Sequence, residues 1–250
     1  MKALILAGKQ SDSPLGHISE NKATIKIHEK EMILYVIDAL KALGMVDKIA
    51  VVGGKEDLAS IACQVDTIVE EGNSLPENIL RGVSIFDDDD EVLVLTSDIP
   101  MITPAAIGDF IEKTHSLSAD FSYPVVRREV NDEKYPGVKR TYVKIRDGSF
   151  TGGNIFLVKA GAIRRCMPRA EVFISYRKKP WKMVKVLGIG FAIRFLLGTL
   201  TIAQLEKHVS EIFGITARAV ISKYPEIGTD VDKVSDLELA MSMLGSGSPR

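Results

Sequence analysis

The unbroken apolar run Val92-Leu93-Val94-Leu95, inside Glu91 to Thr96, constrains the fold of this chain more than any other stretch. A strand covered on one face alternates apolar and polar side chains. A continuous run needs cover on both faces, which a parallel sheet between two helical layers provides. Lys2 to Ala7 and Lys48 to Val52 are short apolar runs of the same kind, and Thr67 to Val69 reads as a further strand. Between these runs the pattern turns helical. Ile33, Val36, Ile37 and Leu40 repeat at helical spacing across Glu31 to Leu43, and Gly44 is placed to end that helix. Glu56 to Ala62 reads as a short helix. Ser74 and Glu77 have capping-box spacing with Pro76 in the first turn, predicting a helix to about Phe86. Thr103-Pro104 caps another, through Ile107, Phe110 and Ile111. Strand–loop–helix alternation predicts an α/β fold: one domain, three layers (α/β/α), with a mixed, mostly parallel sheet.

The second half adds strands at Ala119 to Val126, Tyr142 to Ile145, Ile155 to Val158 and Ala217 to Ile221. A capping box at Thr201 and Gln204 starts a helix to about Phe213, and Ser235 and Glu238 cap a last one. The charged segment Arg127 to Arg140 reads as an exposed excursion, a flap inserted around 127–140. The domain is expected to span 1–244, with 245–250 as a flexible tail.

The formal net charge of -1 over 250 residues excludes the global basic field that nucleic-acid binding uses. Cys63 and Cys166 have no metal-ligand spacing and read as buried free thiols in a reducing compartment, so a cytoplasmic location is expected. His17, His28, His115 and His208 form no zinc pattern. The acids Asp87 to Asp90 read as a solvated turn rather than a cation site. Lys178-Lys179-Pro180-Trp181 opens a long helical region in which Lys182, Lys185 and Arg194 punctuate Met183, Val186, Ile189, Phe191 and Leu196. Such a mixture suits a membrane surface, but the favoured reading of 178–198 is a helix packed on the core with its lysines reaching outward. The apolar part, Val186 to Gly198, is too short to span a bilayer.

Function centres on the strand ends. Gly8 opens a small, polar loop after the first strand, and Lys22 and Lys26 follow it. Backbone N–H groups gathered at a Gly-bearing loop, with lysines nearby, suit phosphate. The loop is neither G-x-x-x-x-G-K-[ST] nor G-x-G-x-x-G. Asp98 follows the Glu91–Thr96 strand, and Asp230 and Asp232 lie near the chain's end. Carboxylates at strand ends beside a phosphate loop are a plausible magnesium site, although each also reads as an ordinary turn residue.

Leu6-Ala7-Gly8, Lys22, Ser97-Asp98-Ile99-Pro100, Gly153-Asn154 and Asp230-Val231-Asp232-Lys233-Val234-Ser235-Asp236-Leu237, in that order, resemble the MobA-like NTP transferases. The resemblance implies the nucleotide-diphosphosugar-transferase (GT-A-like) type of fold. It implies transfer of a nucleoside monophosphate from an NTP to a phosphorylated acceptor, with pyrophosphate released. It assigns catalysis to Lys22 and Asp98, and nucleotide binding to Leu6, Ala7, Gly8, Lys9, Lys22, Asn73, Ser74 and Asn78. Acceptor binding falls to Gly152, Gly153 and Asn154, and metal binding to Asp98, Asp230 and Asp232. The cofactor implied is Mg²⁺, with Mn²⁺ as the alternative. The partners are an NTP and a small-molecule acceptor, without nucleic acid, in a monomer or homodimer. Two departures stand out: Asn21 replaces the proline usual before the lysine, and Lys9 takes the place of a second glycine, with no arginine between Gly8 and Lys22. A GT-A-like glycosyltransferase and a non-catalytic nucleotide sensor are the competing readings.

Overall fold

The computed structural model describes residues 1–9, 14–176, 184 and 186–245. Among the described residues the chain forms strands β1 (Lys2–Leu6), β2 (Lys26–Ile27), β3 (Lys30–Glu31), β4 (Lys48–Val52), β5 (Thr67–Val69), β6 (Glu91–Thr96), β7 (Phe121–Arg127), β8 (Val143–Ile145), β9 (Gly148–Gly152), β10 (Ile155–Lys159) and β11 (Ala217–Ser222). Its helices are α1 (Met32–Ala42), α2 (Leu75–Val83), α3 (Pro104–His115), α4 (Arg128–Lys134), α5 (Ala160–Tyr176), α6 (Ile189–Leu196), α7 (Ile202–Phe213) and α8 (Val234–Gly245).

The main sheet runs β5-β4-β1-β6-β10-β7, with β11 along the far edge of β7. β1, β4, β5 and β6 are mutually parallel, and β10 is antiparallel to both β6 and β7. β9 and β10 share one edge of β7, either side of a kink at Gly153-Asn154, and β8 hairpins onto β9. This is the mixed, mostly parallel single-domain sheet expected from the sequence.

The apolar runs explain the layers. Ala3, Ile5, Ile49, Val51, Leu93 and Leu95 point to one face, where α1 and α3 bury Ile33, Val36, Ile37, Leu40, Ile107 and Phe110. The alternate residues Leu4, Leu6, Ala50, Val52, Val92 and Val94 point to the other, under Ile79 and Val83 of α2 and Ile163 and Met167 of α5. Both faces are buried, so the interior positions of these strands are apolar and polar residues such as Lys2, Lys48, Glu91 and Thr96 stand only at their ends. A third cluster joins Leu15, Ile25, Ile27, Met32, Met101, Tyr135, Val231 and Leu237. It packs the loop after β1, the end of α4 and the start of α8 together, and so fixes the neighbourhood of the site.

Several local expectations need correction. The stretch expected as a helix at Glu56 to Ala62 is instead a 3-10 turn at Ala59–Gln64, and it leaves Cys63 exposed; Cys166 is buried as expected. α2 stops at Val83, short of Phe86. Its Ser74 accepts the Glu77 N–H, but Glu77 accepts the N–H of Asn73 rather than that of Ser74. Helix α8 begins at Val234, two residues before the start that a Ser235 cap would set, and Asp236, not Ser235, accepts the N–H groups of Asp232 and Lys233. α5 is a helix the sequence reading leaves unassigned: Pro168 sits inside it, yet burial of Ala160, Ala162, Ile163 and Met167 holds it. The stretch expected as an exposed excursion after Arg127 holds α4, with Asn131 and Tyr135 buried. α6 buries no residue, so it is not the core-packed helix expected there. Residues 10–13, most of the stretch 177–185 and the expected tail 246–250 lie outside the described residues.

Gly82 shows how closely α2 rides on the sheet. A Cβ there would lie 2.6 Å from both Cδ atoms of Leu4 and 2.7 Å from Val52 Cγ2. Alanine gains about 1 kcal/mol over glycine from helix propensity. Leu4 and Val52 are fully buried and have nowhere to move. Overpacking of this kind costs about 1–3 kcal/mol, so Gly82→Ala lowers the urea midpoint despite the propensity gain. A raised midpoint would show that α2 can lift off the sheet.

Candidate functional site

β1 and β6 are neighbours in register, Leu6 opposite Thr96, so the segments that follow them leave the sheet side by side. The Ser97 N–H donates to Leu6 O (3.1 Å), which keeps Asp98 beside the loop that follows β1. The Val231 N–H donates to Asp98 O (2.9 Å), drawing the approach to α8 onto the same point. Lys22 enters from a 3-10 turn, Lys22–Thr24, beneath the loop. Its Nζ lies 2.7 Å from Asp98 Oδ2 and 2.7 Å from Asp232 Oδ1. Asp98, Asp230 and Asp232 each offer a carboxylate oxygen within 4.8 Å of the others. The sequence-assigned catalytic and metal residues therefore meet in one cluster.

Charge balance governs this cluster. Burial works against the ammonium of Lys22, whose side chain is 8% exposed, but Asp98 and Asp232 outweigh it and hold its pKa above the ordinary lysine value. Burial also opposes the charge on Asp232, and there the Lys22 ammonium prevails, lowering the pKa. Asp230 differs: burial raises its pKa, against the pull of Arg140, whose Nη1 lies 2.5 Å from its Oδ1. Oδ1 of Asp98 is buried and has no hydrogen-bond partner among the described residues. A buried carboxylate oxygen of this kind calls for a cation or donor, since leaving it bare is costly. Oxygen-only donors suit a hard divalent cation, so the acidic trio fits one.

Asn21 stands where a proline was expected, and it has a structural task. It is 3% exposed; its Nδ2 donates to Ala7 O (2.9 Å) and its Oδ1 accepts the Ala23 N–H (3.0 Å). It thus starts the Lys22 turn and ties it to the end of β1.

The nucleotide-binding assignments fall into two groups. Leu6 and Ala7 are buried, and the Ala7 N–H is taken by Val52 O and its carbonyl by Asn21, so the backbone a ligand can reach begins at Gly8. A Cβ on Gly8 would lie 2.6 Å from Asn78 Nδ2 and from Glu71 Oε2, so a side chain there would displace the groups with which the start of α2 meets the loop. Asn78 accepts the Gly72 N–H, and Glu71 accepts the Lys9 N–H. Asn73 and Ser74 lie at the start of α2, engaged with Glu77. The ammonium of Lys9 pairs with Glu20 and Asp57, which raise its pKa, and not with the acidic trio.

The acceptor assignments sit in tight packing. A Cβ on Gly152 would lie 2.2 Å from the Tyr123 hydroxyl, and one on Gly153 2.7 Å from Pro124 Cγ. Asn154 accepts the Thr96 N–H and donates its own to Ile227 O, tying the kink between β9 and β10 to β6. Sequence reasoning missed Arg140 and Glu71. Arg140 closes the charged stretch taken for an excursion, and Glu71 lies in a polar turn; neither carries a motif.

A model of the MobA-like NTP transferase domain matches residues 3–183. Among solved structures, the chain is similar to a hypothetical transferase from Thermus thermophilus, with 30% identity and a TM-score of 0.85, over 95% of this chain and 100% of that one. It also shares its fold with a nucleotidyl transferase from Methanothermobacter thermautotrophicus, at 17% identity and TM-score 0.58, over 98% of each chain. A 4-diphosphocytidyl-2C-methyl-D-erythritol synthase from Anaerococcus prevotii shares the fold at 13% identity and TM-score 0.59, over 98% of this chain and 97% of that one. No curated protein matches the chain.

Asn21→Ala leaves the Ala7 carbonyl and the Ala23 N–H without their partner in a buried site. Such losses cost about 1–3 kcal/mol. The variant should unfold at lower urea than the wild type, with its unfolding free energy reduced by that amount. An unchanged midpoint would mean that Asn21 does not hold the Lys22 turn.

Proposed function

This chain belongs to the MobA-like NTP transferase family, and on that premise we propose that it moves a nucleoside monophosphate from an NTP to a phosphorylated small-molecule acceptor and releases pyrophosphate. The observation that carries this reading is the ammonium of Lys22, held 2.7 Å from both Asp98 and Asp232, beside a buried Asp98 oxygen that has no hydrogen-bond partner among the described residues. Nucleotidyl transfer needs positioning and charge neutralisation more than covalent help. An anionic acceptor must approach an anionic α-phosphate, so fixed positive charge has to wait at the meeting point.

Asp98 and Asp232, with Asp230, would hold a divalent cation, Mg²⁺ by its preference for carboxylate oxygens or Mn²⁺ as the alternative. When bound, such a cation neutralises phosphate oxygens. The chain's own residues do the rest. Lys22 supplies a fixed ammonium that does not titrate near neutrality. Gly8 lets the triphosphate approach the backbone, with Asn78 and Glu71 beside it. Arg140, held at the cluster by Asp230, would meet the charge that an arginine in the first loop would otherwise meet. No covalent intermediate on the protein is required.

The test is pyrophosphate release from each of the four common NTPs with Mg²⁺, across a panel of phosphorylated small molecules. Release is expected only when the acceptor is present. Asp98→Asn keeps the shape of the side chain and removes its charge. It should cost at least about 100-fold in kcat in a variant that still folds on the remaining Lys22–Asp232 pair, checked by a cooperative thermal transition, since preorganised charge at the reacting group is commonly worth that much. Wild-type turnover by Asp98→Asn would sink the assignment, and nucleotide binding without turnover under any acceptor would favour a sensor.

A further inference from the structure

On the transferase reading of the site, we propose that Arg140 competes with the divalent cation for Asp230, so that cation binding at the acidic trio frees the guanidinium. Three carboxylates meet here within 4.8 Å, and two cations of the chain answer them. Lys22 serves Asp98 and Asp232, and Arg140 serves Asp230. Acids set this close repel one another, so each needs positive charge beside it. A divalent cation held by the trio supplies that charge itself. A guanidinium on the same carboxylate then faces like charge at short range.

The two cations of the chain are not held alike. Lys22 is fixed from beneath: its side chain is 8% exposed, it lies 2.7 Å from each of two carboxylates, and Asn21 ties its turn to Ala7 O. Arg140 reaches the cluster from the irregular stretch between α4 and β8. Among the described residues its guanidinium makes one hydrogen bond, from Nη1 to Asp230 Oδ1. A guanidinium carries five N–H donors, so this one is under-used.

The stretch is anchored on either side of Arg140. The Val138 N–H donates to Tyr135 O (3.2 Å), and the Val138 side chain packs on the third apolar cluster. The Tyr142 hydroxyl donates to Asp132 Oδ1 (3.1 Å). Between these anchors Lys139 and Thr141 are exposed. Arg140 can therefore leave Asp230 by turning its side chain, without disturbing α4 or β8. The exchange is favoured because a hard divalent cation takes several oxygen ligands, and Asp98 Oδ1 is buried there without a partner among the described residues. Once free, Arg140 has its whole fork of donors for phosphate. The coupling is reciprocal: the factor by which Arg140 weakens the cation is the factor by which the cation weakens the Arg140–Asp230 pair.

Two measurements on the full chain test this, and neither is an activity. In the first, Mn²⁺ is titrated into metal-stripped protein without nucleotide, and the free ion is followed by electron paramagnetic resonance. Arg140→Gln is expected to bind Mn²⁺ at least about fivefold more tightly than the wild type, the low end of ordinary coupling between linked sites. A cooperative thermal transition checks that the variant is folded. The second measurement needs no variant. Trypsin takes the guanidinium into its own pocket, so cleavage after Arg140 reports whether that side chain is free of Asp230. Cleavage after the exposed neighbour Lys139 reports loosening of the backbone alone. Saturating Mn²⁺ should raise cleavage after Arg140 relative to that after Lys139, read by mass spectrometry, by a similar factor of at least about five.

The proposal is overturned if neither protein binds Mn²⁺, if Arg140→Gln binds it no more tightly than the wild type, or if the cleavage ratio does not rise. Acceptor-dependent pyrophosphate release by a wild type whose cleavage ratio stays flat would keep the transferase reading and sink the exchange. Tighter Mn²⁺ binding by Arg140→Gln and a rising ratio, without pyrophosphate release under any acceptor, would uphold the exchange and sink the transferase reading.

Discussion

One ammonium joins the beginning, middle and end of this chain. Lys22 bonds to Asp98, 76 residues away, and to Asp232, 210 residues away. Neither side of the interaction is favourable alone. A buried lysine without a counter-charge costs several kcal/mol, and acids gathered within 4.8 Å repel one another. Together they neutralise each other, and the fold must bring the ends of β1 and β6 and the entry to α8 to one place. The third apolar cluster performs that task from below, since Leu15, Ile27, Met101, Val231 and Leu237 tie the same segments together.

The balance is incomplete in an informative way. Two carboxylates share Lys22, Asp230 leans on Arg140, and one buried oxygen of Asp98 has no partner among the described residues. Proteins seldom leave such an oxygen bare, and those that do commonly hold a cation or a ligand there. Rigidity is supplied elsewhere. Asn21 locks the Lys22 turn to β1, and the glycines Gly82 and Gly152 each sit where a side chain has no room. The first loop carries no arginine between Gly8 and Lys22, while Arg140 arrives at the cluster from the opposite side of the sheet order.

The central fold was legible because burial on both faces leaves a plain mark. The runs at Lys48–Val52, Thr67–Val69 and Glu91–Thr96 could be bounded to the residue. Caps were legible where one hydroxyl meets one N–H, as at Thr103 and Thr201. Elsewhere tertiary contacts overrode local signals. α5 persists through Pro168 because its apolar side packs on the sheet, and α4 forms within a charged stretch because Tyr135 is drawn into the third cluster. The acidic trio could be read from motifs, with Asp98 just after β6 and Asp230 and Asp232 on the approach to α8. Arg140 and Glu71 could not, because a lone charged residue in a polar segment looks the same whether it faces water or a site. Gly152 and Gly153, assigned to the acceptor through the family resemblance, pack closely against Tyr123 and Pro124.

The most direct test of the Lys22–Asp98–Asp232 cluster as the seat of a metal–nucleotide complex is thermal unfolding with ATP, GTP, CTP and UTP, each with and without Mg²⁺. A ligand present at about 100 times its dissociation constant stabilises the folded state by about 2.7 kcal/mol, well within reach of the measurement. The account predicts that at least one nucleotide raises the melting temperature, that Mg²⁺ is required for the full rise, and that Asp98→Asn abolishes the Mg²⁺-dependent part. A rise that Asp98→Asn leaves intact, or no rise with any of the four, would contradict it.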